Sequence, residues 1–311
     1  MDESLQHLAQ PANLLLGDMD DGDVVLYHLS IGARCADLVA LLPRHALLYH
    51  NITPRRFYED VNPRVAYWVE RGRDDLARLA PLAELGLAAS QFNENELRSA
   101  GCRKTMVVPP PVDLQRLRPR PAVPATPPRL LFVSRLAPNK RHDDLLRVLA
   151  ALRAGPQPQA RLVIPGGSDD TIPYVAALRE LATRLGVAGV VEMPARRLCD
   201  REIGDLYATA SVVVCMSEHE GFGMPLVEAM AFSVPVVAQD AGAVAETVGG
   251  AGIVLGHRDP LVWAEVIDRV IRDQNLRREL IGRGRRRLAE FSDDRVDKRL
   301  GEAVSLLGMP E

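Results

Sequence analysis

The chain has 311 residues, a net charge of -3 at pH 7, 47% hydrophobic and 25% charged residues, an ordinary globular composition and length for about two domains. This charge gives no general attraction to nucleic acid, and no apolar run approaches the ~18 to 20 residues that span a bilayer. The polar start MDESLQHLAQ does not read as a secretory signal. Four scattered cysteines (Cys35, Cys102, Cys199, Cys215) form no CxxC pair, so reduced, mostly buried thiols and a cytoplasmic location are expected.

In chain order, three short apolar runs come first: DVVLYHLS (23–30), HALLYHNI (45–52) and LGLAAS (85–90), each reading as a buried strand or strand end. RVAYWVERGRDDLARLA (64–80) lies between them as helix. Eight prolines in VVPPPVDLQRLRPRPAVPATPPR (107–129) exclude helix and central strand; the stretch is expected to be a stiff linker at a domain boundary. A regular alternation follows. RLLFVSRL (129–136) is predicted as strand, and HDDLLRVLAALR (142–153) as a helix burying Leu145, Val148, Leu149 and Leu152. Strands are predicted over 160–167, 190–193, 211–217, 234–240 and 252–255, and helices over 175–186, 200–210, 225–232, 243–248 and from 260 to about 307. Such alternation means βαβ units, an α/β fold and mainly parallel sheets. Ligands of such sheets sit at the carboxyl ends of the strands.

One such end carries most of the chemistry. EHEGFGMPLVEAMA (218–231) follows a strand and opens a helix. Pro225 suits the first helical position, leaving the N–H groups of Leu226 and Val227 facing outward as an anion or hydroxyl site. Gly221 and Gly223 let the backbone pass close to a ligand. Glu220 would be repelled by phosphate and suits neutral hydroxyls, while Glu228 could accept from the two vicinal hydroxyls of a ribose. A solvated loop acid and a helix-start acid would account for either glutamate alone. The second piece is FVSRLAPNKRHDDLL, where a dinucleotide fold would carry G-x-G-x-x-G. None is present, which argues against an NAD(P)-dependent oxidoreductase. Phosphate would fall to Arg135 and Lys140, a planar fork and a point charge; otherwise the turn is merely basic and exposed.

These two pieces, RL-x3-K and the E-x7-E pattern EGFGMPLVE, resemble the retaining family 4 glycosyltransferases of GT-B fold, over residues 129–293. The resemblance implies two Rossmann-like lobes with parallel sheets: a partial N-terminal acceptor-side lobe (1–120), a donor-binding lobe (121–292) and a C-terminal helix (293–311) packing back toward the N-terminal lobe. It implies that Glu220 contacts the transferred sugar, that Glu228 holds the ribose, and that Arg135 and Lys140 hold the donor diphosphate. The backbone from Gly221 through Phe222, Gly223, Met224 and Pro225 to Leu226 would bind sugar hydroxyls and phosphate. RLCDREIGDLY (197–207) lies where the family places its base-binding loop. LLYHNITP resembles the segment whose His reaches the donor sugar, making His50 the candidate and His28 the weaker one; either could instead be structural. SQFNENELRSAG resembles a family helix start at which Ser90 is expected to cap. Only about 22 residues precede the first strand, so the first βα units of the family are expected to be missing and the N-terminal lobe incomplete.

The implied reaction moves a sugar from a UDP-, GDP- or ADP-sugar to a hydroxyl of a glycan or lipid-linked acceptor, with retention. No pair of acids is spaced as a double-displacement dyad. No cofactor is implied. The acidic run DMDDGD (18–23) lies away from the site, so no metal is expected. The proline stretch would serve as part of a hinge. A non-catalytic relative that binds nucleotide-sugar without a complete acceptor lobe is the alternative. RELIGRGRRRL (278–288) is either a solvated helix face or a weak peripheral membrane contact.

Overall fold

Runs of β-branched residues without polar alternation can be satisfied only as strands buried on both faces. Val212–Cys215 (β8), three valines and a cysteine, is buried at all four positions, and so is Val236–Gln239 (β9), two valines followed by an alanine and a glutamine. The computed structural model of the chain describes residues 19–20, 22–168, 170–194 and 196–308. It divides into two units, one holding the described parts of 1–55, 66–109 and 297–311, the other holding 56–65 and 110–296.

In the first unit, among the described residues, four parallel strands lie in sequence order: Val25–Leu29 (β1), His45–Tyr49 (β2), Leu85–Ala88 (β3) and Thr105–Val107 (β4). The predicted apolar runs supply the first three. β4 was not predicted, because three residues ahead of a proline run are too short for a periodic signal. Between β2 and β3 runs the predicted helix, Pro63–Leu79, and Ser90 caps Gln91–Ser99 by accepting from Asn93 N at 3.2 Å, a contact worth about 1 kcal/mol. The helix Asp293–Leu306 enters this unit from Asp297 onward. Ala303 and Leu307 pack against Ala46, Leu85 and Leu87, and Arg44 Nη2 donates to Leu307 O at 2.7 Å.

In the second unit, among the described residues, six parallel strands are ordered β10-β9-β8-β5-β6-β7. Here β5 is Arg129–Leu131, β6 Arg161–Val163, β7 Val191–Glu192 and β10 Ile253–Leu255. The order reverses between β5 and β8, whose neighbouring carboxyl ends form a topological switch point, the place where open α/β sheets hold ligands. Leu145, Val148, Leu149 and Leu152 of His142–Ala154 are fully buried, as their helical spacing predicts.

The proline segment, expected as a stiff linker at a domain boundary, holds the division between the units at 109/110 and is otherwise packed. Residues 110–128 belong to the second unit, and Leu117 is part of its core. Ala122 N donates to Phe232 O at 2.9 Å, Val123 N to Ala208 O at 2.9 Å, and Ala125 N to Thr209 O at 3.0 Å. These acceptors end the helices Asp200–Thr209 and Met224–Ala231, whose last carbonyls have no intrahelical donor. Prolines forbid regular structure, but the residues between them keep their N–H groups and spend them there.

The basic stretch 278–288 forms most of the helix Gln274–Leu288. Just before it, buried Arg277 donates to Ser211 O at 2.6 Å. Arg287 donates to Thr247 O at 3.1 Å and Glu246 O at 2.7 Å and lies over the Phe291 ring. Among the described residues no helix is long and apolar enough to cross a membrane.

Candidate active site at the switch point

The loops after β5 and β8 are tied to each other by backbone. Glu218 N donates to Asn139 O at 2.8 Å, and Asn139 Nδ2 donates to His219 O at 3.4 Å. This brings Lys140, in the short 3-10 turn Pro138–Lys140, onto Glu220: Nζ lies 2.7 Å from Oε2. Ser217 Oγ donates to the same oxygen at 3.0 Å. Both charged side chains are mostly buried, 16% and 17% exposed. Burial alone would lower the Lys140 ammonium, but the charge and hydrogen bond of Glu220 outweigh it, and the net shift is upward. Glu220, expected on neutral hydroxyls, therefore faces the very cation expected on phosphate. Opposite charges this close and this buried attract each other strongly.

Glu220 is held through its backbone as well. Its carbonyl accepts from Ala243 N at 2.9 Å. Gly242 passes so close that a Cβ there would stand 2.2 Å from that carbonyl oxygen. Arg135 reaches Tyr58 Oη with Nη2 at 2.8 Å and Asp170 Oδ2 with Nη1 at 3.5 Å, and its side chain is 57% exposed.

The helix after the glycine loop begins one residue earlier than expected, at Met224, with Pro225 second and Gly223 as cap at φ 93°. Leu226 N donates to Gly223 O at 2.9 Å, so this amide is spent inside the turn and does not face outward as predicted; the carbonyl of an N-cap residue ordinarily accepts the first bond of its helix. Phe222 O accepts from Thr247 Oγ1 at 2.6 Å, and the Phe222 ring packs edge-on against Phe291. Glu228 is buried. Its Oε1 accepts from Arg116 Nη2 at 2.6 Å and its Oε2 from Tyr207 Oη at 2.8 Å. Arg116 Nη1 also donates to Asp200 Oδ1 at 2.6 Å. Burial and the Glu228 charge push the Tyr207 phenol well above its usual range.

In the first unit, His50 Nε2 and His28 Nδ1 lie 3.1 Å apart, one ring donating to the other. Both candidate histidines thus come together, because β1 and β2 are parallel and His50 N donates to Leu29 O at 3.0 Å. Desolvation and the neighbouring His28 both lower the His50 pKa. Among the described residues no group of three or more His, Cys, Asp or Glu is placed to hold a metal ion. Asp18 and Asp21 of the DMDDGD run lie outside the described residues.

The sequence model of the family described as glycosyl transferases group 1 matches residues 113–287. The chain belongs to this family. It is 34% identical over 219 residues to a D-inositol 3-phosphate glycosyltransferase of Kineococcus radiotolerans, covering 63% of this chain and 50% of the relative. It is also 34% identical over 226 residues to the corresponding protein of Salinispora arenicola, covering 65% and 50%. The chain spans about half the length of these curated relatives. Among solved structures it resembles Anabaena HepE in complex with UDP, at TM-score 0.72 and 22% identity over 97% of this chain and 84% of that one. It also resembles TarM, at TM-score 0.74 and 15% identity over 95% and 57%. At such identities the likeness speaks for the fold, which is of GT-B type with two Rossmann-like units.

At this site several contributors escaped sequence reasoning. Arg116 sits in what reads as a linker, and Tyr207 is one apolar position of an amphipathic helix. Thr247 and Gly242 lie in a segment with no motif of its own. The D-L-Q-R-L run (113–117), polar residues leading to a Leu amid prolines, was the one available hint that this stretch folds back.

Proposed function

We propose that the protein transfers a sugar from a nucleoside diphosphate sugar to a hydroxyl acceptor, with retention at the anomeric carbon and without a metal. The observation that carries the reading is the Lys140–Glu220 pair at the switch point, 2.7 Å apart, with Glu228 eight positions on and its orientation set by Arg116 and Tyr207. Family membership supports it. The arrangement suits an exchange of partners. An incoming diphosphate offers Lys140 a stronger anion than Glu220, and the sugar offers Glu220 hydroxyl donors in return. The pair then separates without leaving either charge unpaired, which would be costly at this burial. Arg135, exposed in the same loop five positions before Lys140, adds a second cation for the charge that develops on the leaving phosphate. Glu228 takes the ribose hydroxyls. His50 is proposed for the sugar, and the acceptor is a glycan or a lipid-linked hydroxyl met in the cytoplasm.

The test is turnover of UDP-, GDP- and ADP-sugars, with release of nucleoside diphosphate measured in the presence of glycan and polyprenol-linked primers. One donor is expected to turn over, with activity unchanged by a chelator. Lys140→Ala and Glu220→Gln should each lower kcat/KM at least about 100-fold, the loss typical of a charge-stabilising group, in protein that stays folded at the assay temperature although its melting temperature falls, because each variant leaves a mostly buried charge without its partner. Wild-type rates in both variants would remove the switch point from the chemistry.

A further inference from the structure

We infer that Arg116 is a positioning residue for nucleotide recognition: it orients Glu228 toward the ribose and so makes the proline segment a working part of the nucleotide site. The inference rests on the nucleotide-sugar reading above and goes beyond it in assigning a role to a residue of the proline segment.

The geometry is specific. Arg116 Nη2 and Tyr207 Oη bond different oxygens of Glu228, at 2.6 and 2.8 Å, so the plane of the carboxylate is determined. A carboxylate has about four acceptor sites; two are taken and one remains on each oxygen, the count that a vicinal diol needs. The Glu228 side chain is only 5% exposed, whereas that of Arg116 is 37% exposed. The carboxylate therefore depends on its protein partners to stay still, and the guanidinium remains within reach of solvent. The other arm of Arg116 bonds Asp200 Oδ1 at 2.6 Å, the first residue of the helix Asp200–Thr209. One planar fork thus spans two acids from separate elements, which an ammonium cannot reproduce. The backbone under the fork is anchored too. Leu117 is buried, and its carbonyl oxygen would stand 2.4 Å from a Cβ at Gly204. That close approach needs a glycine and brings the segment down onto the helix.

A merely structural arginine and a positioning one differ in what their loss does to selectivity. Affinities of UDP, GDP and ADP, and of their 2′-deoxy counterparts, would be measured by calorimetry for the wild type, Arg116→Ala and Arg116→Lys. The wild type should prefer the ribose form of its nucleotide by about tenfold or more, the worth of a charge-assisted hydrogen bond. Arg116→Ala should bring the two forms to within about twofold of each other by weakening the ribose form while leaving the deoxy form near its wild-type value. Arg116→Lys, which can reach one acid but not both, should fall between; it carries the test if the alanine variant does not fold. Equal weakening of both forms, or a preserved ratio, overturns the inference while leaving the nucleotide reading intact. A wild type that binds none of the three nucleotides overturns that reading and the inference with it.

Discussion

At the scale of single residues, the most consequential buried group outside the charged pair is His142. It is fully buried, with Nε2 2.9 Å from Ser134 Oγ and Nδ1 3.4 Å from Tyr174 Oη. Burial first, and then the charge of Lys140, hold its pKa down at about 3. The folded protein thus keeps this imidazole neutral, whereas the unfolded chain protonates it below about 6.5. The sign follows: stability from this group is complete above the unfolded value and is lost as pH falls from about 6.5 toward 3. Between pH 7 and pH 5 the loss should be about 2 kcal/mol. Urea unfolding of His142→Gln should therefore show a pH dependence shallower than wild type by about that amount, whatever its absolute stability. Parallel curves for the two proteins would mean that the ring titrates alike in the folded and the unfolded chain.

At the scale of elements, the glycine loop works because a second loop lies beneath it. Gly242 has φ 57°, and any side chain would strike the Glu220 carbonyl. Gly250, with φ 77°, has open space where its Cβ would be. The two positions separate conformational strain from displacement of the site. Gly250→Ala should cost about 1 kcal/mol, the left-handed penalty alone, and leave transfer unchanged. Gly242→Ala should cost more, and should reduce transfer at least about tenfold because Glu220 must move. Thermal melts and turnover on the same preparations check both; equal behaviour of the two variants would show that the 240–243 loop does not set the position of Glu220. The proline segment makes the same point about elements. It reads as a spacer by composition, yet its free amides cap two helix ends, and Arg116, next to buried Leu117, reaches the second glutamate of the pair.

At the scale of the whole molecule, the four-stranded and six-stranded units divide the candidate residues between them, with His28 and His50 in one and the Lys140, Glu220 and Glu228 constellation in the other. A nucleoside diphosphate sugar that binds the second unit should stabilise it by about 2.7 kcal/mol when present at 100 times its Kd. For a folding unit of this size that corresponds to a rise in melting temperature of roughly 5 to 10 °C. The rise should appear with one of the UDP-, GDP- and ADP-sugars and vanish in Lys140→Ala. No rise with any of the three would count against the donor assignment.

What the sequence by itself determined is local and periodic. Apolar spacing marked most strands and helices, with ends off by a few residues; in His142–Ala154 the four residues expected to be buried are buried, and Leu146 and His142 are buried with them. The glycine–proline loop between a strand and a helix was legible because a strand-to-helix turn is a short-range feature. What only the tertiary structure decided is long-range pairing. Lys140 meets Glu220 across 80 positions, and Arg116 meets Glu228 across 112. The β5–β8 adjacency that makes the first contact possible is a property of strand order. No local pattern encodes such contacts. A charge pair forms wherever the packing of apolar neighbours brings two side chains within reach, and that packing is settled by the whole core at once.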